Sequence, residues 1–208
     1  MNLLDALNWR YAVREFADTT LDEEVVSELV EATRLSPSAY GLQPYKLIVI
    51  RSDSIKTKLL DYAMGQSKVK HCSHLLVFAV NTTINEQFIA QHFAYFERER
   101  SLENGALAGY QQHVKDVMLP LTTEQLQQWA ENQAYIALGN LLTSAAIRRV
   151  DTCPMAGFEK QGFDKVLGLA KHGLKSTVIC ALGERAESDV SAAERKVRLS
   201  IDSFSMEL

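Results

Sequence analysis

The nine residues Ser36-Pro-Ser-Ala-Tyr-Gly-Leu-Gln-Pro44 separate a helix-like pattern from an apolar run typical of a buried strand. Both prolines block continuation of a helix, and Gly41 permits a positive φ. The stretch therefore predicts a stiff loop that holds backbone N–H groups and a hydroxyl at fixed positions, as an anion or a heteroaromatic ring edge requires. Taken by itself, it is more typical of an ordinary turn between a helix and a strand.

The segments on either side of this loop are regular. Before it, apolar residues recur at helical spacing up to about Leu35, and Thr20 and Glu23 have the spacing of a capping box. After it, residues 47–50 are apolar at every position, which predicts a strand inside a sheet.

The remaining pattern contains more helices than strands. Residues 75–80 and 177–182 predict two further buried strands, and Thr122 with Gln125 predicts the capped start of a long helix that ends near Arg149. Strands and helices do not alternate regularly. The sequence therefore predicts an α+β fold, in which one small central sheet is covered by helices.

Composition bounds the classes of function. The chain has 208 residues, 47% of them apolar and 23% charged, with a net charge of −4. Residues 1–208 suit a single domain, and this charge favours neither a nucleic acid nor an anionic membrane as partner. No apolar run reaches the roughly 20 residues of a membrane span, and no secretion signal is recognisable. Cys72, Cys153 and Cys180 are widely spaced and predict buried thiols in a reducing compartment, which points to the cytoplasm.

Two pairs of basic residues lie near opposite ends of the chain. Arg10 and Arg14 form the first pair, and Lys196 and Arg198 form the second. Lys and Arg two positions apart in an extended segment point the same way, so both can reach one phosphate. Each pair alone is more typical of a solvated surface. Residues 154–157, Pro-Met-Ala-Gly, precede a helix pattern and could offer free N–H groups there, and a plain turn is the simpler local interpretation.

Other kinds of site find little support. His71 and His74 have helical spacing, but no further ligand pair stands near them, so we expect no metal site. The chain contains no G-x-G-x-x-G, P-loop, G-x-S-x-G or H-E-x-x-H pattern, which argues against a Rossmann dinucleotide site, a nucleotide triphosphatase, an α/β-hydrolase and a zincin.

The order of these features resembles the FMN-dependent nitroreductase family. The resemblance rests on five motifs that span nearly the whole chain: residues 10–16 (RYAVREF), 36–44 (SPSAYGLQP), Gln133 with 139–142 (GNLL), 154–158 (PMAGF), and 196–198 (KVR). It is nearest to the short branch that includes oxygen-insensitive nitroreductases, dihydropteridine reductases and flavin reductases.

The resemblance implies a nitroreductase-like sandwich that forms an intertwined homodimer, with one tightly bound FMN per subunit at the dimer interface. It implies a ping-pong oxidoreductase in which NAD(P)H is the reductant and electron-poor nitroaromatics, quinones or free flavins are the acceptors. The cofactor carries this chemistry, so we assign no catalytic side chain.

The resemblance also assigns cofactor-binding roles to individual residues. Arg10, Arg14, Lys196 and Arg198 would hold the phosphate and the ring edge, with backbone contacts from Tyr11 and Ala12. The ring would lie along Pro154, Met155, Ala156 and Gly157, with Gln66 and Lys68 at the pyrimidine edge and Gln133 near the ribityl chain or phosphate. The partner subunit would contribute Pro37, Ser38, Ala39 and Gly41.

Four positions depart from the family pattern. The family often has His or Ser at Tyr11, Ser at Ala39, Asn at Gly41 and Glu at Ala156. These departures remove side-chain hydrogen bonds to the cofactor, but they leave the cationic residues unchanged.

Two segments are expected to act on substrate and partner. Residues 93–121, which include Tyr95, Phe96 and Tyr110, are a candidate substrate lid, because aromatic rings can stack on a planar substrate. Residues 194–208 are a candidate C-terminal tail that contacts the partner subunit. Two rival functions remain: a non-catalytic dimeric FMN-binding protein, and a family member that dehalogenates its substrate or fragments flavin.

Overall fold

A computed structural model describes residues 2–208, in which four strands form one antiparallel sheet. The strands are β1 (Tyr45–Ile50), β2 (His74–Asn81), β3 (Asp151–Met155) and β4 (Leu174–Gly183), in the order β1-β2-β4-β3. The α-helices of these residues are α1 (Leu3–Trp9), α2 (Glu23–Arg34), α3 (Asp53–Leu60), α4 (Lys68–His71), α5 (Glu86–Glu99), α6 (Ala108–Met118), α7 (Thr123–Ile147), α8 (Lys160–Leu167) and α9 (Ile201–Phe204). Short 3-10 helices lie at Ala39–Gly41, Leu169–His172 and Val190–Ala193.

Helices cover both faces of the sheet. Alternate residues of a strand point to opposite faces, so Leu76 and Phe78 of β2 pack into one core with α2, α5, α6 and α7. Leu75 and Val77 pack into a second core with α3, α4 and α8. The predicted α+β architecture of one small sheet covered by helices is therefore confirmed.

The prediction that residues 47–50 lie inside the sheet is wrong. Strand β1 pairs with β2 alone and forms an edge of the sheet. Leu47 and Val49 pack against one core, and Ile48 and Ile50 against the other. The run is apolar on both faces because helices cover both faces, which does not require a strand on either side.

One of the two predicted capping boxes is present. Thr122 Oγ1 accepts a hydrogen bond from Gln125 N at 3.2 Å, and Gln125 Oε1 accepts one from Thr122 N at 2.8 Å. The predicted box at Thr20 is wrong, because α2 begins only after Asp22. Leu21 N instead donates to Ser73 Oγ at 2.8 Å, and this long-range bond ties down the chain just before the helix starts.

The three cysteines are buried and free, as predicted. Burial raises the pKa of Cys72 to about 12, so this thiol is neutral near neutral pH. Within the part of the chain that the structure describes, no helix has the length and apolar character needed to cross a membrane.

His71 and His74 do not share a helix, because α4 ends at His71 and His74 begins β2. Among residues 2–208 no group of three His, Cys, Asp or Glu side chains could hold a metal ion. His74 is fully buried, with Nδ1 2.9 Å from Ser73 Oγ and Nε2 3.8 Å from Glu23 Oε1. Burial lowers the pKa of His74, against the opposing effect of Glu23.

This burial predicts a pH-dependent stability. The folded state keeps His74 neutral, whereas the unfolded chain protonates it below about pH 6.5. The free energy of unfolding should therefore fall as the pH drops below about 6.5, by up to about 1.4 kcal/mol per pH unit, until the lowered pKa is reached. His74→Gln should flatten this dependence in urea titrations, whereas the same change at the exposed His71 should not. An unchanged slope in the His74 variant would contradict the assignment.

Candidate functional site

An extended segment carries the first pair of cations along the edge of the sheet. Helix α1 ends at Trp9, and Ala12 then pairs with Thr152 of β3 in parallel. Val13 N donates to Thr152 O at 3.2 Å. This pairing holds the backbone between Arg10 and Arg14 against a strand of the core.

The C-terminal tail brings the second pair of cations to the first. Lys196 Nζ donates to the carbonyl oxygens of Leu7 and Arg10. The residues that line a cavity of about 350 Å³ at this point include Arg10, Tyr11, Ala12, Arg14, Lys196 and Arg198. The tertiary structure thus unites two clusters that lie more than 180 residues apart in the sequence.

The four cations have no acidic partner. Among residues 2–208, none of Arg10, Arg14, Lys196 and Arg198 forms an ion pair, although Glu194 also lines the cavity. Arg10 Nε is buried and has no hydrogen-bond partner in the same part of the chain. Unpaired cations of this kind are the donor set that a phosphate dianion prefers.

The pKa shifts within the cluster of four cations also indicate a site for an anion. The pKa of Arg10 is lowered, first by burial and then by the nearby positive charge of Arg198. The pKa of Lys196 is lowered by burial, by Arg10 and by Arg198. A bound anion would relieve this mutual repulsion, so the residues fit the phosphate group of FMN.

The segment assigned to the ring lies at the end of β3. Pro154 and Met155 belong to the strand, and Ala156 and Gly157 follow it on the surface. Gln66 Nε2 donates to Gly157 O at 2.6 Å, which joins two of the predicted groups. Ala156 N and Gly157 N donate to no other group within residues 2–208, so both remain available to a ligand.

Lys68 lies beside the first pair of cations. It begins α4 and lines, with Arg14 and His71, a cavity of about 260 Å³. Arg14 lines this cavity and the larger cationic one, so the two adjoin. Lys68 therefore lies where a ligand held by the four cations could extend.

The Ser36–Pro44 loop is held by helix α7. Gln133 Oε1 accepts a hydrogen bond from Ala39 N at 2.8 Å, and Asn140 Nδ2 donates to Ser36 Oγ at 3.0 Å. Ser38 Oγ accepts one from Gln43 N at 3.0 Å, so this hydroxyl can still donate one. Gln133 thus positions the loop and lies away from the cations of its own chain.

The candidate lid packs on the same loop. The Tyr40 and His113 rings meet edge to face with centroids 6.5 Å apart. Gly41 has a φ of +69°, and a Cβ there would lie 2.8 Å from Cζ of Phe96 in α5. Both the left-handed backbone and the close ring therefore favour glycine where the family often has asparagine.

Gly41→Ala is expected to lower the free energy of unfolding by more than the roughly 1–2 kcal/mol that a left-handed alanine costs. Gly168→Ala is the matched control, because Gly168 has a φ of +64° with nothing within 4 Å of the added Cβ. In a Phe96→Leu background, the additional loss that Gly41→Ala causes should fall to the control value. Equal losses at the two glycines in urea titration would exclude a role for the Phe96 contact.

In one chain, the loop and the cations lie at opposite corners of the sheet. The loop leads into β1 at Tyr45, level with Lys175 of β4, whereas Ala12 lies beside β3 at Thr152, level with Leu182. Four strand spacings, from β1 across β2, β4 and β3 to the Ala12 segment, and the stretch from Lys175 to Leu182 separate them by roughly 30 Å. Within residues 2–208, the cavity that Leu42 and Gln43 of the loop line contains none of the four cations.

A comparison with family models decides the relationship: the nitroreductase family model matches residues 7–184. The chain belongs to the nitroreductase family. Members of this family are oxidoreductases, and so is this chain. The matched range contains all the predicted site residues except Lys196 and Arg198, which lie in the tail beyond it.

Similar proteins agree with this assignment. A Bacillus subtilis (strain 168) protein named "Putative NAD(P)H nitroreductase YfkO" is 32% identical over 195 residues, which cover 88% of each chain. The crystal structure of "putative nitroreductase ydfN" from Bacillus subtilis has a TM-score of 0.86 at 22% identity and covers 99% of this chain and 98% of its own. The crystal structure of a "putative nitroreductase in complex with FMN" from Exiguobacterium sibiricum has a TM-score of 0.84 at 19% identity and covers 100% of this chain and 98% of its own.

The tertiary structure of this family member adds polar residues beside the site that the sequence does not indicate. Arg185 lies over the rings of Trp9 and Tyr11, with its guanidinium carbon 4.4 and 4.6 Å from their centroids. Its NH2 group pairs with Asp151 Oδ1 at 2.6 Å. These contacts hold Trp9 and Tyr11, the two neighbours of Arg10 in the chain. No motif or spacing in the sequence predicts them.

A more voluminous cavity lies elsewhere. It measures about 640 Å³ and lies between α3 and the start of β2. Its charged side chains neutralise one another, because Arg51 pairs with Glu23 at 2.7 Å and Lys56 with Asp53 at 3.0 Å. The smaller cavity with unpaired cations is therefore the better candidate for an anionic cofactor.

Proposed function

We propose that the chain is an FMN-dependent oxidoreductase that uses NAD(P)H to reduce electron-poor acceptors such as nitroaromatics, quinones or free flavins. The observation that carries the proposal is the cavity where Arg10, Arg14, Lys196 and Arg198 converge without a carboxylate partner. The chemistry that FMN would supply at this site is transfer of electrons from NAD(P)H to the acceptor in two half-reactions, a ping-pong mechanism.

The residues of the chain would hold and tune this cofactor. The four cations would bind the phosphate through charge-assisted hydrogen bonds, with Tyr11 and Ala12 lining the same cavity. The free N–H groups of Ala156 and Gly157 would donate to the ring and stabilise negative charge on it. Gln66 and Lys68 would lie at its pyrimidine edge, because Gln66 is bonded to Gly157 and Lys68 adjoins Arg14.

A homodimer would complete the site. The loop that carries Pro37, Ser38, Ala39 and Gly41 leads into β1 roughly 30 Å from the cations of its own chain, so these residues would serve such a site from a second copy. Helices α1 and α7 contact each other, and both expose apolar side chains, among them Leu4 and Ile136. A surface of this kind is typical of an interface between subunits.

Three further assignments belong to this proposal. Residues 1–208 form one domain, in which residues 93–121 act as a lid whose exposed Tyr95 and Tyr110 would stack on a planar acceptor. Residues 194–208 contact the partner subunit. The protein works in the cytoplasm, because its three thiols are free.

Steady-state oxidation of NADH and NADPH by the FMN-loaded protein tests the function, with menadione and a nitrofuran as acceptors. Turnover with either acceptor is expected. No turnover by a fully loaded dimer would overturn the proposal in favour of a non-catalytic FMN-binding protein. Release of halide from a halogenated substrate, or loss of the flavin itself, would indicate the dehalogenating or flavin-fragmenting alternative.

Mixed dimers test the shared site. One subunit type carries Arg10→Ala with Lys196→Ala, and the other carries Pro37→Glu, which places a charge on the exposed loop. If the loop serves the partner's cofactor, a refolded equimolar mixture should regain about a quarter of the FMN sites, although each variant alone binds little FMN. Recovery of no sites would place the loop and the cations in the same subunit.

A further inference from the structure

A buried carboxylate joins the two segments that carry the cations. Asp189 is 4% exposed, and its Oδ2 accepts hydrogen bonds from Arg14 N at 2.8 Å and Glu15 N at 3.2 Å. Its Oδ1 accepts a bond from Ser191 N at 3.0 Å. One side chain therefore fixes the N-terminal segment and the C-terminal tail against each other.

The hydrogen bonds of Asp189 connect, through the segment that carries Lys196, back to Arg10 beside the cavity. Asp189 caps the 3-10 helix Val190–Ala193, which leads directly to the segment that carries Lys196. Lys196 Nζ returns to the carbonyl oxygen of Arg10. The backbone of Arg14 and the side chain of Lys196 are thus placed by one set of connected hydrogen bonds.

The charge of Asp189 is not used to neutralise the cations. Burial raises the pKa of Asp189, but hydrogen bonds from Arg14 N, Glu15 N and Ser191 N outweigh this and leave its pKa below the usual value. The group is therefore ionised at neutral pH, yet it forms no ion pair with any side chain among residues 2–208. Three backbone N–H groups satisfy the carboxylate and leave the cations free for a ligand.

We propose that Asp189 is a positioning residue that assembles the two halves of the phosphate site, acting through the Arg14 backbone and the 3-10 helix before Lys196. The inference rests on the proposed FMN function. An amide of the same size could not replace the carboxylate, because its oxygen can face only one of the two segments and its NH2 group would meet an N–H donor at the other. Loss of Asp189 should therefore separate the cations.

The affinities for FMN and riboflavin, measured by fluorescence titration, test this role. Riboflavin shares the ring and the ribityl chain and lacks the phosphate, so its affinity reports every contact except those to the phosphate. Asp189→Asn should raise the Kd for FMN about tenfold or more and change that for riboflavin by less than about twofold. Asp164→Asn is the matched control: Asp164 Oδ1 also accepts a backbone bond, from Ser176 N at 2.7 Å, away from the cavity. Both affinities should be unchanged in this control.

The results of these titrations distinguish a failure of the inference from a failure of the proposed function. Equal weakening of FMN and riboflavin by Asp189→Asn would show a general structural role, and no weakening would show no role, so either result overturns the inference while the proposed function stands. A wild-type protein that binds no FMN would overturn the proposed function itself. If the Asn variant does not fold, Asp189→Glu keeps the charge and displaces the oxygens by one methylene. The same loss of preference for FMN over riboflavin is expected there, and a wild-type preference would overturn the inference.

Discussion

Protein that carries Arg10→Ala together with Lys196→Ala is expected to be nearly colourless after purification, whereas the wild type should be yellow. Both side chains line the cavity of unpaired cations, and each would give the phosphate charge-assisted hydrogen bonds. Such a bond contributes about 1.5–3 kcal/mol, so loss of two should raise the Kd for FMN by roughly 10²- to 10⁴-fold. The flavin absorbance of the purified protein, and a titration of the apoprotein with FMN, measure the loss.

The control removes two positive charges elsewhere. Lys58 and Lys171 are exposed and form no ion pair with residues 2–208, so Lys58→Ala with Lys171→Ala changes the net charge equally. That variant should keep its colour. Full flavin content in the Arg10 and Lys196 variant would remove the assignment of the cavity as the phosphate site.

Replacing the apolar side chains of the tail by serine is expected to convert a stable dimer into a monomer. Leu199, Ile201, Phe204 and Met206 are each at least 70% exposed in the single chain. Burial of such side chains against a partner contributes about 1.5–3 kcal/mol each, so their loss should weaken the dimer by about four orders of magnitude or more. Sedimentation at concentrations from nanomolar to micromolar measures the change, and the wild type should remain dimeric well below micromolar.

Two exposed apolar residues outside the tail provide the control. Val117 and Leu119 are each 41% exposed, in and just after α6. Serine at both positions should leave the dimer intact. A wild-type chain that sediments as a monomer, or a tail variant that remains dimeric at nanomolar concentration, would contradict the proposed role of residues 194–208.

Local patterns in the sequence predicted secondary structure correctly where the residues that determine it lie close together in the chain. The capping box at Thr122 depends on residues three positions apart, and it predicted the start of α7 correctly. The nearly continuous apolar character of 75–80 and 178–182 predicted β2 and β4, because every position of an interior strand is covered. The same rule failed for residues 47–50, since burial by helices and burial between strands leave the same apolar run.

The candidate site likewise combines features that the sequence predicts with features that only the tertiary structure decides. Residue types and their order predicted an anion site at the two pairs of cations, and that assignment stays a proposal. The same motifs resembled one family, and the match over residues 7–184 confirms the family. Arg10 and Lys196 are brought together by bonds between residues far apart in the chain, namely Val13 to Thr152 and Lys196 to Leu7, and these bonds belong to no local pattern.

The sequence by itself therefore determined the α+β class, the buried strands and the family, because these follow from periodicity and from motif order. Only the tertiary structure decided the edge position of β1, the union of the two chain ends into one cationic cavity, and the separation of the Ser36–Pro44 loop from that cavity. The physical reason is that these features are set by contacts between residues far apart in the chain. The spacing of residues within one segment does not predict such contacts.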